Sequence, residues 1–226
     1  MKKIIFCCIA TGLWLISSCI TSLQPLITAG NIVKEKRLAG TWQYKNDIIT
    51  VESMTESDIF KELNKMQTSL SGTPHAPLIG KEKEDSIFYA NAWCVSFQRN
   101  GVAHYMAAAT TRINDELYME LLPVIITDPQ KPEGSGYEFT NDYLPTFTIA
   151  KVIINNNASV SLKFLNGDYI KQQVIANRLK VSHEKDEFGS FLVTASTEEL
   201  HLFLEKYGND ERLYNADNLV TLTKKV

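Results

Sequence analysis

SIFYANAWCVSFQRNGVAHYMAAATTRINDELYMELLPVII, residues 86–126, is the stretch that decides the fold. Asn100-Gly101 separates two runs rich in aromatic and β-branched residues, and both residues tolerate the positive φ that a tight hairpin turn demands. Asn114-Asp115 repeats the signal. Residues 86–99, 102–113 and 116–126 therefore read as three consecutive strands of an antiparallel meander. Alternation is visible within the second: Ala103, Tyr105, Ala107 and Ala109 point one way, His104, Met106 and Ala108 the other.

The same signals extend outward. Leu38-Ala39-Gly40-Thr41-Trp42-Gln43-Tyr44 and Ile48-Ile49-Thr50-Val51-Glu52 form two strands around a polar turn. Downstream, residues 144–155, 158–165, 191–195 and 219–223 read as strands. Ile59, Phe60, Leu63 and Met66 recur at helical spacing after Ser57-Asp58, and Ile170, Val174 and Ile175 do so within 167–178. Ser196 with Glu199 fits a capping box, opening a helix that Gly208 ends. Residues 71–85 and 127–141, rich in Pro and Gly, read as loops. The expectation is about eight strands and two or three short helices, mainly β with some α.

Upstream of the domain the pattern is different. Lys2 and Lys3 precede an apolar run from Ile4 to Ile16, too short to span a bilayer comfortably, which needs about 20 apolar residues. Ile16-Ser17-Ser18-Cys19 resembles the bacterial lipobox. That resemblance implies diacylglyceryl transfer to the Cys19 thiol, cleavage before it and acylation of the new amine. Two or three acyl chains anchor a protein where one would be marginal, so the partner implied is a lipid bilayer. Ile20 follows the cysteine where an Asp would favour inner-membrane retention, and residues 20–29 carry no acid. The expected address is the cell envelope, at the outer membrane and facing the periplasm. The division expected is a signal peptide over 1–18, a lipidated N-terminus and tether over 19–36, and a single β-rich domain over 37–226.

Composition narrows the function classes. The 226 residues are 44% hydrophobic with a net charge of -3, and no Lys/Arg cluster supplies the footprint that phosphate-backbone binding requires. Nucleic acid is excluded as an expected partner. With Cys7 and Cys8 inside the leader and Cys19 lipidated, Cys94 stands alone on a strand, where a buried, inert thiol is expected. His75, His104, His183 and His201 pair with no Cys or carboxylate at ligand spacing, so neither metal nor cofactor is expected. No Gly-x-Ser-x-Gly, phosphate-cradling loop or Cys-x-x-Cys occurs, and nothing points to an enzyme.

The Leu38-to-Trp42 start and the Phe191-to-Leu204 tail together resemble a group of small, uncharacterised bacterial envelope lipoproteins. Gly40-Thr41-Trp42 also resembles the Gly-x-Trp of lipocalin-like barrels, where the tryptophan packs across the closed end. The fold expected is thus an antiparallel meander or a lipocalin-like, partly closed barrel. Trp42, Phe88, Trp93, Phe97, Tyr105 and Tyr118 either line a ligand cavity or fill a core. The first option makes the protein a binder of an apolar small molecule or an envelope protein. The alternative is a structural or assembly lipoprotein without a ligand cavity.

Overall fold

The computed structural model describes residues 20–61, 83–99, 102–124, 146–156, 158–185 and 191–225. Eight antiparallel strands close into a barrel: β2 (Gly40–Tyr44), β3 (Asp47–Ser53), β4 (Trp93–Arg99), β5 (Val102–Ile113), β6 (Glu116–Val124), β7 (Phe147–Asn156), β8 (Ser159–Leu165) and β11 (Tyr214–Lys224). Each pairs with the next, and β11 returns to β2 through Thr223↔Gln43 and Lys224↔Trp42. The fold is mainly β with α, lipocalin-like, and the barrel is closed where the sequence suggested only partial closure. Closure survives because the inserted elements leave the ring. Helix α2 (Gly167–Ile175), β9 (His183–Lys185), β10 (Phe191–Val193) and helix α3 (Thr197–Tyr207) lie between β8 and β11 and pack outside.

Turn chemistry is as the sequence dictates. Asn114 and Asp115 both adopt positive φ, 50° and 65°, in the β5–β6 hairpin. Ser196 caps α3 through a capping box with Glu199. One expected strand divides: its first half is helix α1 (Lys83–Asn91), and only Trp93–Arg99 is β4. Phe88 explains the difference. Its apolar ring, a strand former by propensity, packs from the helix against two outer clusters, and tertiary burial overrides local preference.

Residues 20–36 correct the expectation of a tether. Ile20, Leu26 and Ile27 are buried, and β1 (Thr21–Ser22) pairs antiparallel with β7 and parallel with β10. The strap that follows covers sheet edges the ring leaves open. On β7, strand β8 reaches only as far as Phe164↔Ala150, and β1 takes over at Thr148 and Phe147. On β5, β4 begins opposite Ala108, and beyond it Val33 N–H donates to Thr110 O at 2.7 Å. Unpaired backbone at these edges would be costly to bury, which is why the strap is part of the fold. Between the two edges it crosses β6, where the Glu120 carboxylate accepts the Leu26 and Ile27 N–H groups. Of the helix expected after Ser57-Asp58, residues 58–61 are helical; Leu63 and Met66, the loop expected over 127–141 and residues 1–19 with Cys19 lie outside the described residues.

Candidate functional site: the barrel cavity

Period-two alternation sorts the barrel's side chains. Even residues of β2, β5 and β8, even residues of β7 as far as Ile154 and of β11 beyond its bulge, and odd residues of β3, β4 and β6 face inward. They enclose a cavity of about 250 Å³ lined by every barrel strand except β7. Its walls are aliphatic and aromatic, with Met106 and Met119 and the rings of Trp42, Tyr44, Phe97 and Phe164. Among the described residues Asp47 is the one charged lining residue, at the first position of β3 and in register with Tyr44.

The two ends of the barrel differ. At one, Leu38 and Trp42 are buried, and Trp42 Nε1 donates to Leu38 O at 2.8 Å. Gly40 has φ 128°, a conformation L side chains rarely adopt, and a Cβ there would press on the Lys224 side chain. That chain lays its ammonium 5.4 Å from the Trp42 ring centroid. Trp93 sits inward at the same end, below the cavity, with Lys34 Nζ 5.0 Å from its ring centroid. Glu35 and Arg37 finish the plug; the guanidinium beside Glu35 holds its carboxyl below the usual range. At the other end Tyr44, Ile49, Phe97, Met106, Phe164 and Val220 are only half-buried although they face inward. The barrel thus has a floor at Trp42 and a mouth at the β2–β3 turn and the outer ends of β4 and β8.

Of the six aromatic residues singled out from sequence, Trp42 and Phe97 line the cavity. Trp93 faces the interior without lining it. The other three are corrected by strand phase and by the helix. Tyr105 faces outward from β5 into a cluster under α1, with Met54, Phe60 and Cys94. Phe88 lies on α1 itself. Tyr118 faces outward from β6 into the core under α2 and α3, where its hydroxyl meets that of Tyr214 at 3.2 Å. Lining residues missed in the sequence, such as Met106, Met119, Leu162 and Phe164, share the inward phase of Trp42 and Phe97. Extending that phase along each strand would have found them.

Other groups with chemical potential serve the fold. Cys94 is 1% exposed, and burial pushes its thiol pKa up, away from thiolate. His104 stacks on Phe97 with ring centroids 5.0 Å apart. His201 on α3 places Nε2 2.9 Å from Leu26 O and from Asn31 Nδ2, tying helix to strap. Glu120 is the most perturbed carboxyl: burial outweighs its two N–H partners and pushes its pKa to about 8. Among the described residues no three His, Cys, Asp or Glu side chains gather as a metal site, and no helix is long and apolar enough to cross a membrane. No family model matches the chain, and neither a curated protein nor a solved structure is significantly similar to it.

Proposed function

We propose that this protein is a bacterial envelope lipoprotein, held to a membrane by acyl chains on Cys19, whose barrel binds an apolar small molecule. The observation that carries the binding half is the cavity. Filling a closed eight-stranded barrel with side chains is the ordinary outcome, and a dry apolar void costs stability. Here about 250 Å³ is left, lined by large rings and two methionines and bounded by a built floor. An apolar cavity of about 150 Å³ already suffices for benzene. Methionine suits such a wall because its unbranched, polarizable chain adapts to more than one ligand shape. The anchoring half rests on Ile16-Ser17-Ser18-Cys19 behind its short apolar run.

Intact-mass measurement of the membrane-extracted protein beside a Cys19→Ala variant, with native mass spectrometry of the same material, tests both halves. Acyl mass lost in the variant, together with a co-purifying apolar molecule, is the expected result. Lipidation with an empty barrel would favour an assembly role through the outer surface, and an unmodified, uncleaved N-terminus would overturn the anchor.

A further inference from the structure

We infer that the cavity takes a single-chain amphiphile tail first, with a hydrocarbon tail of about ten carbons inside and a hydrogen-bond-donating head, not an anion, at the mouth. The inference rests on the reading of the cavity as a site for an apolar ligand. What it adds comes from where the polar groups stand and from the cavity's proportions.

From mouth to floor, polarity stops at the first layer. Tyr44 and Asp47, in register across the β2–β3 turn, are the polar lining residues at the mouth. Deeper in, Val51, Val95, Leu121, Val160, Leu162 and Leu222 present only hydrocarbon. At the floor the Trp42 indole N–H is already donated to Leu38 O. Trp93 Nε1 has no partner, but Trp93 does not line the cavity. The wall's backbone groups are paired in the barrel ladder. A polar atom carried to the floor would therefore lose its water and gain no partner. A head left at the mouth keeps its water and meets Tyr44 and Asp47. A carboxylate only accepts, so Asp47 suits a donor. Among the described residues no Lys, Arg or His lines the cavity to receive an anion; Lys45, on the turn, holds its ammonium over the Tyr44 ring, 5.1 Å from the centroid.

The proportions select a chain over a fused ring system. Lining residues run from Phe164 at the mouth to Val160 at the floor on β8, and from Asp47 to Val51 on β3. Four residue steps cover about 13 Å of strand, which at an ordinary barrel tilt is a depth of about 10 Å. Spread over that depth, about 250 Å³ is about 25 Å² in section, the width of one extended chain. A cavity of about 150 Å³ takes a six-carbon ring, so about 250 Å³ takes roughly ten carbons.

Displacement of N-phenyl-1-naphthylamine tests this on the full processed chain in amphipol, against empty amphipol, with straight-chain alcohols from hexanol to tetradecanol compared at equal free concentration. Affinity should rise about fourfold per carbon and level off at about ten carbons. 1,10-Decanediol, which must bury its second hydroxyl, should bind on the order of tenfold more weakly than 1-decanol. Decanoate should also bind more weakly than 1-decanol, and Asp47→Asn should narrow that gap. Val160→Phe raises the floor and should move the levelling point about two carbons shorter. Leu222→Phe, at the position in register with Val160, should do the same and serves if the first variant does not fold. A levelling point unmoved in folded floor variants, decanediol or decanoate as tight as decanol, or bound fluorophore that no alcohol displaces would overturn the tail-first inference and leave the apolar-binder reading intact. Failure of the fluorophore and every alcohol to bind would remove both.

Discussion

Glu120 shows how one side chain can tie a segment to a barrel at a cost. Its carboxyl is 3% exposed and receives two backbone N–H groups from the strap, yet burial dominates and lifts its pKa to about 8. A group protonated more readily in the folded than in the unfolded state contributes stability at low pH. Here that contribution is complete below about pH 4.5 and is lost as pH rises through 8. At about 1.36 kcal/mol per unit, the loss is on the order of 5 kcal/mol. Glu120→Gln keeps the acceptor oxygen and removes the charge, so the variant should melt at nearly constant temperature from pH 5 to 8 while the parent falls. Thermal melts across that range check it; parallel curves would mean that the carboxylate is solvated on opening. Gly40 makes a second case. Its φ of 128° strains any L side chain, and a Cβ would press on the flexible end of Lys224, so Gly40→Ala should cost about 1–3 kcal/mol in chemical denaturation. An unchanged midpoint would mean that the β2 start relaxes freely.

At the scale of elements the strap is the point of departure from a simple barrel. Leu26 has no exposed surface, and truncating such a leucine costs about 2–5 kcal/mol, whereas truncation in a tether costs nothing. Leu26→Ala should therefore lower the melting temperature as a core substitution does, and the Leu26, Ile27 and Val33 amides should exchange as slowly as barrel amides. The strap was illegible in the sequence for a definite reason. It buries Ile20 and then the adjacent pair Leu26-Ile27, and bonds its backbone to side chains, so no period marks it. The elements that were legible carry their own punctuation: Asn114-Asp115 between β5 and β6, Ser196 and Glu199 before α3, Gly40-Thr41-Trp42 at β2. Strands β1 and β9, of two and three residues, fall below any pattern and exist only through their partners. The site was half visible. Trp42 and Phe97 share the inward phase, but Tyr105 and Tyr118 were grouped with them by composition when period-two phase sends both outward.

For the molecule as a whole, two apolar volumes share one sheet. The outer core, beneath α2, α3 and the strap, is close-packed; its small void measures about 20 Å³. The inner volume keeps about 250 Å³ open behind a floor held by Trp42, Leu38 and Lys224. The outer core packs the sheet's outer face and the inner cluster packs the floor, which leaves the mouth half of the interior open to hold a ligand. That division is the central claim, and titration with the apolar fluorophore N-phenyl-1-naphthylamine tests it most directly, in the parent and in Val95→Trp and Met106→Trp variants that fill the cavity from paired positions on two neighbouring strands. Saturable one-to-one binding in the parent, lost in both variants while they melt within a few degrees of it, is the predicted result. Absence of saturable binding, or binding untouched by filling the barrel, would contradict the claim.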